Sequence, residues 1–511
     1  MTTNNPFSVS LCVLCGFIKS SLLIGTVLLL ASCGDNSDQD NAIRFGISTE
    51  PATLDPRYVT DAVSTRIARL LYSRLVKFDA HYRFVPSLAR WKKMGPEHYR
   101  FTLRPDRRPF SDGEPVTAAD VKATYASVLD PASASPQRTS LTVIDHMQVV
   151  DADTIDFYLK RPDALFPGRL TVGILPRELI GKNHPFNRDP VGSGPLRLVA
   201  WPDDGNLILQ RRADGQVIRF ITVKDPTVRV LKLLSGEIDL VQGELPAEII
   251  DWLRDKPSVR VKRVRGDTFY YIGFNLRDPA TGDALVREAV AHAIDRKDII
   301  KYLYRGMARP AESLLPPEHW AGSNDLPADS YNPALSRRLL RQAGYGPGRP
   351  LHLEFKTSTN PQSLRLVAIL QQELHEAGME VSIRSYDWGT FFGDIKAGRF
   401  QMYCLSWVGL KMPDVFRYVF HSKSVPPAGA NRGRLDDALV DSLIEKAENT
   451  QALDAKAAIY KRLQQRLHAL RPYVPLWYQD NVLVMRRGLT GYTPAADGNY
   501  DALARVRFAK P

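Results

Sequence analysis

The stretch PLHLEFKTSTNPQSLRLVAILQQELHEAGMEVSIRS, residues 350–385, admits few folds. Leu351, Leu353 and Phe355 alternate with more polar neighbours, as do Met379, Val381 and Ile383, so each run reads as a strand. Between them Val367, Leu370, Leu374 and Ala377 fall on one helical stripe, and Gly378 stands where a helix can end in the left-handed region. Two strands joined through a helix by short connections pair in parallel, because an antiparallel pair needs only a hairpin. A chain carrying such a unit is α/β.

The same patterns recur elsewhere. Ile43, Phe45 and Ile47 have period two, as do Tyr99, Phe101 and Leu103, and again Ile155, Phe157 and Leu159. In VTAADVKATYASVLD, Thr117 is a good N-cap with Asp120 three residues on, and Val121, Thr124, Tyr125 and Val128 share a helical face. Val286, Ala289, Val290, Ala293 and Ile294 make another buried face, and Tyr460, Leu463, Leu467 and Leu470 a third. Asn332 and Pro333 open a helix that Gly344 ends. A chain of 511 residues calls for roughly two to three domains. Breaks fall at residues 181–195, a loop dense in Pro, Gly and Asn, and at 263–275, where a basic strand passes into an aromatic one.

The formal charge of +12 is scattered among acids with no Lys/Arg block, which reads as a solvated basic surface and not a nucleic-acid groove. Of four cysteines, Cys12 and Cys15 form a C-x-x-C outside any βαβ pattern, so redox chemistry is not expected. Residues 21–31, SLLIGTVLLLA, form a signal-like apolar core behind Lys19. LASC, ending at Cys33, resembles the lipobox of bacterial lipoproteins, in which the signal is cut before the cysteine and the thiol is acylated. The polar GDNSDQDN after it suits a flexible tether. Two alternatives stay open: an uncleaved anchor from Phe7 to Ala31, and a Cys33 that is merely buried. With Cys33 acylated, Cys404 is the one thiol left, and stability must come from core packing.

Six motifs together resemble the family 5 extracellular solute-binding proteins, the oligopeptide- and dipeptide-binding receptors of ABC importers. They are STEPATLDP (48–56), FSDGEPVTAADVKATYASVLDP (110–131), VGSGPLRL (191–198), YYIGFNLRDPATGDALVREAVAHAIDRKDII (270–300), NPALSRRLLRQAGYGPG (332–348) and PLWYQDNVLV (475–484). They occur in family order across residues 43–485. The resemblance implies a two-lobed periplasmic-binding-protein fold, class II, of the large type with an extra subdomain in the first lobe. The expected divisions are a signal peptide at 1–32, a tether at 33–40, lobe I at 41–80, 186–266 and 486–511, the extra subdomain at 81–185, and lobe II at 267–485. The expected activity is capture of a small peptide or peptide-like solute between closing lobes and its delivery to ABC permease subunits in the inner membrane. The expected setting is the bacterial periplasm, as a monomer lipid-anchored through Cys33, without nucleic acid.

One departure bears on the ligand. Peptide-binding members use W-x-x-D in the second lobe to fix the ligand's α-amino group. Here Trp407 is followed by Leu410 at the acid position, then Lys411, with Asp414 the next acid. Leu410 cannot make a carboxylate–ammonium bond. A ligand without a free amine, such as a murein peptide, sugar or metal chelate, or an anion meeting Lys411, becomes the alternative, and a non-transport envelope scaffold a second. The resemblance places cleft contacts at Thr60 and Asp61 and favours Trp407 as pocket. Tyr270, Tyr271, Trp388 and Trp477 are aromatic candidates for a large cleft wall, Asn275 a candidate at the start of the second lobe, and PPAGANRGR (426–434) either an anion site or a plain loop. No H-E-x-x-H, G-x-S-x-G, P-loop or Cys-rich metal pattern is present, so neither catalysis nor a cofactor or metal is expected.

Overall fold

The computed structural model describes residues 41–202 and 205–509. The expected signal peptide 1–32, the tether 33–40 and Cys33 lie outside the described residues. Among the described residues no helix is long and apolar enough to cross a membrane.

A single large sheet carries the architecture. From one edge its strands are Met379–Tyr386, Leu351–Ser358, Met402–Trp407, Val259–Phe274, Tyr473–Arg486, Leu240–Gln242, Ile43–Ile47, Val217–Thr222, Asn206–Arg211 and Leu196–Ala200. The strand–helix–strand unit read from the sequence forms one edge. Leu351 pairs in parallel with Met379 and so on to Ser358 with Tyr386, joined through the helix Pro361–Glu376. That helix buries Leu366, Val367, Leu370 and Leu374, and Gly378 takes φ +94°, where a Cβ would be strained. Near the other edge Ile43–Ile47 is parallel to both its neighbours.

Two long antiparallel strands join the halves. Val259–Val264 pairs with Asn481–Arg486; the register then breaks between Val264 and Thr268; Thr268–Gly273 pairs with Gln479–Tyr473. The apolar clusters divide at this break. Ile43, Phe45, Leu209 and Leu483 lie in one core of the first half, and Val230, Leu253 and Val484 in its second. Ile272, Phe355 and Trp477 lie in one core of the second half, and Phe269, Tyr403 and Tyr460 in the other. Each half thus covers both faces of its own part of the sheet, and the two lobes meet at the break in the long strands. The second long strand crosses at Gln479–Asn481, and Leu483 and Met485 pair with Leu240–Gln242 of lobe I. The expected lobe II boundary at 485 therefore lies too late. An unbroken apolar strand pattern does not say which half of the sheet each residue joins.

The extra subdomain is a four-stranded antiparallel sheet, Ala89–Gly95, His98–Leu103, Thr154–Leu159 and Ile144–Val149, covered by the helix Ala118–Leu129. Asp120 Oδ2 accepts from the Thr117 backbone N–H (2.8 Å) and hydroxyl (2.7 Å), and its Oδ1 accepts from the Arg177 N–H (2.9 Å). The acid at the helix start thereby ties the helix to the returning chain. The subdomain core runs from Leu75 to Ile174, whereas Leu175 and Phe186 pack into lobe I, so both expected edges (81 and 185) move earlier. The Pro/Gly/Asn-rich loop marks irregular backbone, not the core onto which it folds. Gly194 in that loop donates to the Leu71 carbonyl at 2.8 Å, and a Cβ there would sit 2.3 Å from the Leu70 oxygen. Only glycine permits that approach.

Candidate functional site

The helix Ala62–Leu71 buries Val63, Ile67, Leu70 and Leu71 in the lobe I core. Its remaining face offers Thr65, Arg66 and Arg69 to a cavity of about 350 Å³. Arg66 and Arg69, three residues apart, share that face by helical geometry. Asp61 caps the helix: its Oδ1 accepts from the Ser64 N–H at 2.7 Å, while its Oδ2 is buried with no hydrogen-bond partner. Thr60, Arg74 and Lys77 extend the same wall, and Asp497 and Asn499 reach it from the C-terminal segment. The opposite wall is the loop after Met402–Trp407, through Val408, Gly409 and Lys411 of lobe II. The cavity therefore lies between the lobes.

Ion pairs cross this cleft. Lys411 Nζ lies 3.1 Å from Asp497 of lobe I and 3.5 Å from Asp267 at the hinge, and 5.0 Å from the centre of the Tyr82 ring. Burial alone would raise the Asp497 carboxyl; Lys411 and then Arg69 outweigh it and hold it at about 2. Asp267 is shifted the other way, its burial exceeding the pull of Lys411. Asp414 accepts from Arg169 of the subdomain at 2.5 Å, and Arg169 also holds Asp163 at 2.7 Å. The His319 ring of lobe II lies tilted against Tyr82, with centroids 5.1 Å apart, and its Nε2 lies 3.1 Å from the Lys411 carbonyl oxygen. Arg365 of lobe II meets Glu248 of lobe I at 2.6 Å.

The residues singled out from sequence separate into groups. Thr60, Asp61 and Lys411 come together at the cavity. Lys411 does not point to solvent; it bridges the lobes. Leu410, between two cavity-lining residues, turns away and packs on a lobe II core. Asp414 is engaged by Arg169 and is not free to replace the missing acid. Trp407 also packs on that core, under the Arg432 guanidinium at 4.9 Å, with its Nε1 buried and unpartnered. Tyr271 is buried and accepts from Arg432 at 3.1 Å. Arg432 and Arg434 of the 426–434 loop are spent on internal partners, Tyr271 for one and the Lys396 carbonyl for the other. Trp477 is 0% exposed, stacked on Tyr270 at 5.9 Å and tilted against Tyr304 at 4.9 Å, and is core, not cleft wall. Asn275 braces backbone, donating to the Gly398 and Phe400 carbonyls at 3.2 and 3.1 Å. Tyr270 and Trp388 line a separate cavity of about 280 Å³ within lobe II, together with Cys404. Burial pushes that thiol up to about 12, which disfavours the reactive thiolate. Among the described residues no cluster of His, Cys, Asp or Glu could hold a metal ion.

Sequence reasoning missed Arg66, Arg69, Arg74, Asp267 and Asp497. The spacing of Arg66 and Arg69 was a usable signal. The two acids carry none, because they reach the cleft from segments far along the chain from that helix.

Two lobes on a shared pair of strands, with a charged cavity between them and ion pairs across it, define a hinged solute receptor. The chain belongs to the bacterial extracellular solute-binding proteins of family 5, whose middle-region model matches residues 83–426. A di/tripeptide-binding protein of Pseudomonas aeruginosa is 26% identical over 92% of this chain and 96% of its own. A dipeptide-binding protein of Escherichia coli is 25% identical over 93% and 96%. The crystal structure of the ABC transporter substrate-binding protein CtaP of Listeria monocytogenes matches the fold with a TM-score of 0.83, at 22% identity over 92% of this chain and 99% of that one.

Proposed function

We propose that this chain is the receptor subunit of an ABC importer, which captures a small peptide or peptide-like solute between its lobes and passes it to permease subunits in the inner membrane. The observation that carries the reading is the cavity of about 350 Å³ walled by both lobes and bridged by Lys411–Asp497. A cleft whose two walls belong to separate cores can open and close by changing few backbone torsions at the hinge. The peptide-binding relatives support the ligand class. The role is binding, not catalysis, and the place of work is the periplasmic space.

Small-angle scattering of the purified chain with and without a mixture of di- and tripeptides tests this. A fall in radius of gyration with saturable dependence on peptide is expected. Unchanged scattering, together with no heat of binding, would remove the transport reading and favour an envelope scaffold.

Cys33 is proposed as the acylated N-terminus that holds the receptor at the membrane surface. Several buried acyl chains anchor firmly, at about 0.8 kcal/mol per CH₂. Mass spectrometry of the chain expressed in a Gram-negative host is expected to show an N-terminus at Cys33 with a lipid mass added, and Cys33→Ala to leave the membrane fraction only if cleavage and acylation occur there. An intact N-terminus in the wild type would instead support the uncleaved anchor.

A further inference from the structure

The cleft does not account for the formal charge of +12, and part of that charge gathers at one end of lobe I. Ile43 pairs with Ile218, Val217 with Gln210, and Arg211 with Leu196. Met485 pairs with Leu240, and Arg486 with Val259. The start of the first strand, the turn after Arg211 and the chain after Arg486 therefore share one end of the lobe I sheet. The pair Leu489–Thr490 and Arg507–Phe508 lies at the same end, where Arg211 donates to the Val506 carbonyl at 2.6 Å.

Six guanidiniums gather here: Arg108, Arg197, Arg212, Arg487, Arg505 and Arg507. All but the half-buried Arg212 are exposed, and none has an ion pair among the described residues. Arg108 donates to the Ser193 carbonyl at 3.3 Å, Arg197 to Gln210 Oε1 at 2.6 Å and Arg212 to the Pro109 carbonyl at 2.7 Å, all uncharged oxygens. Burial lowers the Arg212 pKa, and the charges of Arg108 and Arg197 add to this against the pull of Asp112. Most acids nearby are taken. Asp214 is held by Arg211, Glu237 by Lys232, and Asp239 by Arg44 and Arg486. Asp112, Glu114 and Asp255 remain exposed, three acids against six guanidiniums. Ser258 accepts from the Arg487 N–H at 3.0 Å, which brings the end of the helix Ala247–Arg254 to the patch. There Trp252 is exposed under the Lys256 ammonium, 4.1 Å from its ring centre, a pairing suited to headgroup depth. Asn41 leads into the first strand at this end, eight positions after Cys33. Eight extended residues reach about 28 Å at most, so a chain held at Cys33 keeps this end close to the lipid.

We propose that the end of lobe I where the tether enters docks on the bilayer, its unpaired guanidiniums meeting anionic lipid headgroups. The inference rests on the membrane tether proposed above. The tether sets the distance, and the basic patch sets the orientation, since each cation near an anionic surface adds to the attraction. Docked this way, the receptor leaves Thr60 and Asp61 of the cavity open to solute, because they follow the other end of Ile43–Ile47.

Gly488→Cys places a thiol in the patch, where a Cβ meets nothing within 4 Å. Gly348→Cys, equally open and in lobe II, is the control. The full lipidated chain is held on vesicles of phosphatidylcholine alone or with about 30% phosphatidylglycerol. The rate of maleimide labelling at each position is read on its own peptide by mass spectrometry. Position 488 is expected to label about tenfold more slowly on the anionic vesicles and position 348 equally on both, with high salt abolishing the difference. Arg487→Gln, Arg505→Gln and Arg507→Gln combined are expected to abolish it too. Equal labelling at 488 on both vesicles, or equal protection of both positions, would overturn the proposal and leave the anchor intact. A chain retained on neither vesicle would overturn the anchor and the proposal together.

Discussion

Lys411→Ala is expected to lose about 3–5 kcal/mol of the closed form's stability, the usual cost of removing one partner from a buried pair. Lys411 has 18% of its side chain exposed, and Asp267 and Asp497 have 1% and 11%. Without the ammonium, Asp267 keeps a buried carboxylate whose Oδ1 already lacks a partner. Thermal unfolding should shift down, and scattering should show a more open chain. The double variant Lys411→Ala, Asp267→Asn should recover much of the loss, because the stranded charge is gone. A variant that melts and scatters like the wild type would reduce the bridge to an exposed pair worth about 0–1 kcal/mol. Acid should act in the same direction on the Asp497 arm. Its folded value of about 2 lies below the ordinary carboxylate range, so its contribution is complete above about pH 4 and lost as the pH falls toward 2. Asp267 opposes this: burial favours its neutral form, and its own penalty is relieved as the pH falls.

Trp477→Ala is expected to destabilise the chain by about 3–5 kcal/mol, read as a lower urea midpoint with an unchanged slope. Its indole is fully buried between Tyr270 and Tyr304, on the strand that carries the hinge. The folded fraction should bind peptides with wild-type preferences, since the residue lines neither cavity described above. Altered peptide preference at unchanged stability would return Trp477 to the cleft.

Where the sequence was read correctly, the signal was local. The parallel unit at 351–386, the Thr117–Asp120 helix start and the Asn332–Pro333 cap each depend on neighbours within a few positions, and the structure forms all three. The motifs spread over residues 43–485 pointed to the family whose model matches the chain. Aromatic residues were poorer guides. Trp407 and Trp477 suit a pocket wall or a core equally well by composition, and the cores took both.

By itself the sequence determined the α/β class, the strand–helix units and the family, because periodicity and capping are properties of adjacent residues. Only the tertiary structure decided where the second long strand crosses from lobe to lobe, and which core receives Leu175 and Phe186. It alone decided that Lys411 bridges to Asp497 and that Asp414 is already held by Arg169. Those pairings join residues 86 and 245 positions apart. A charge's partner at that range is set by how two separate cores meet, and no local pattern in the chain encodes it.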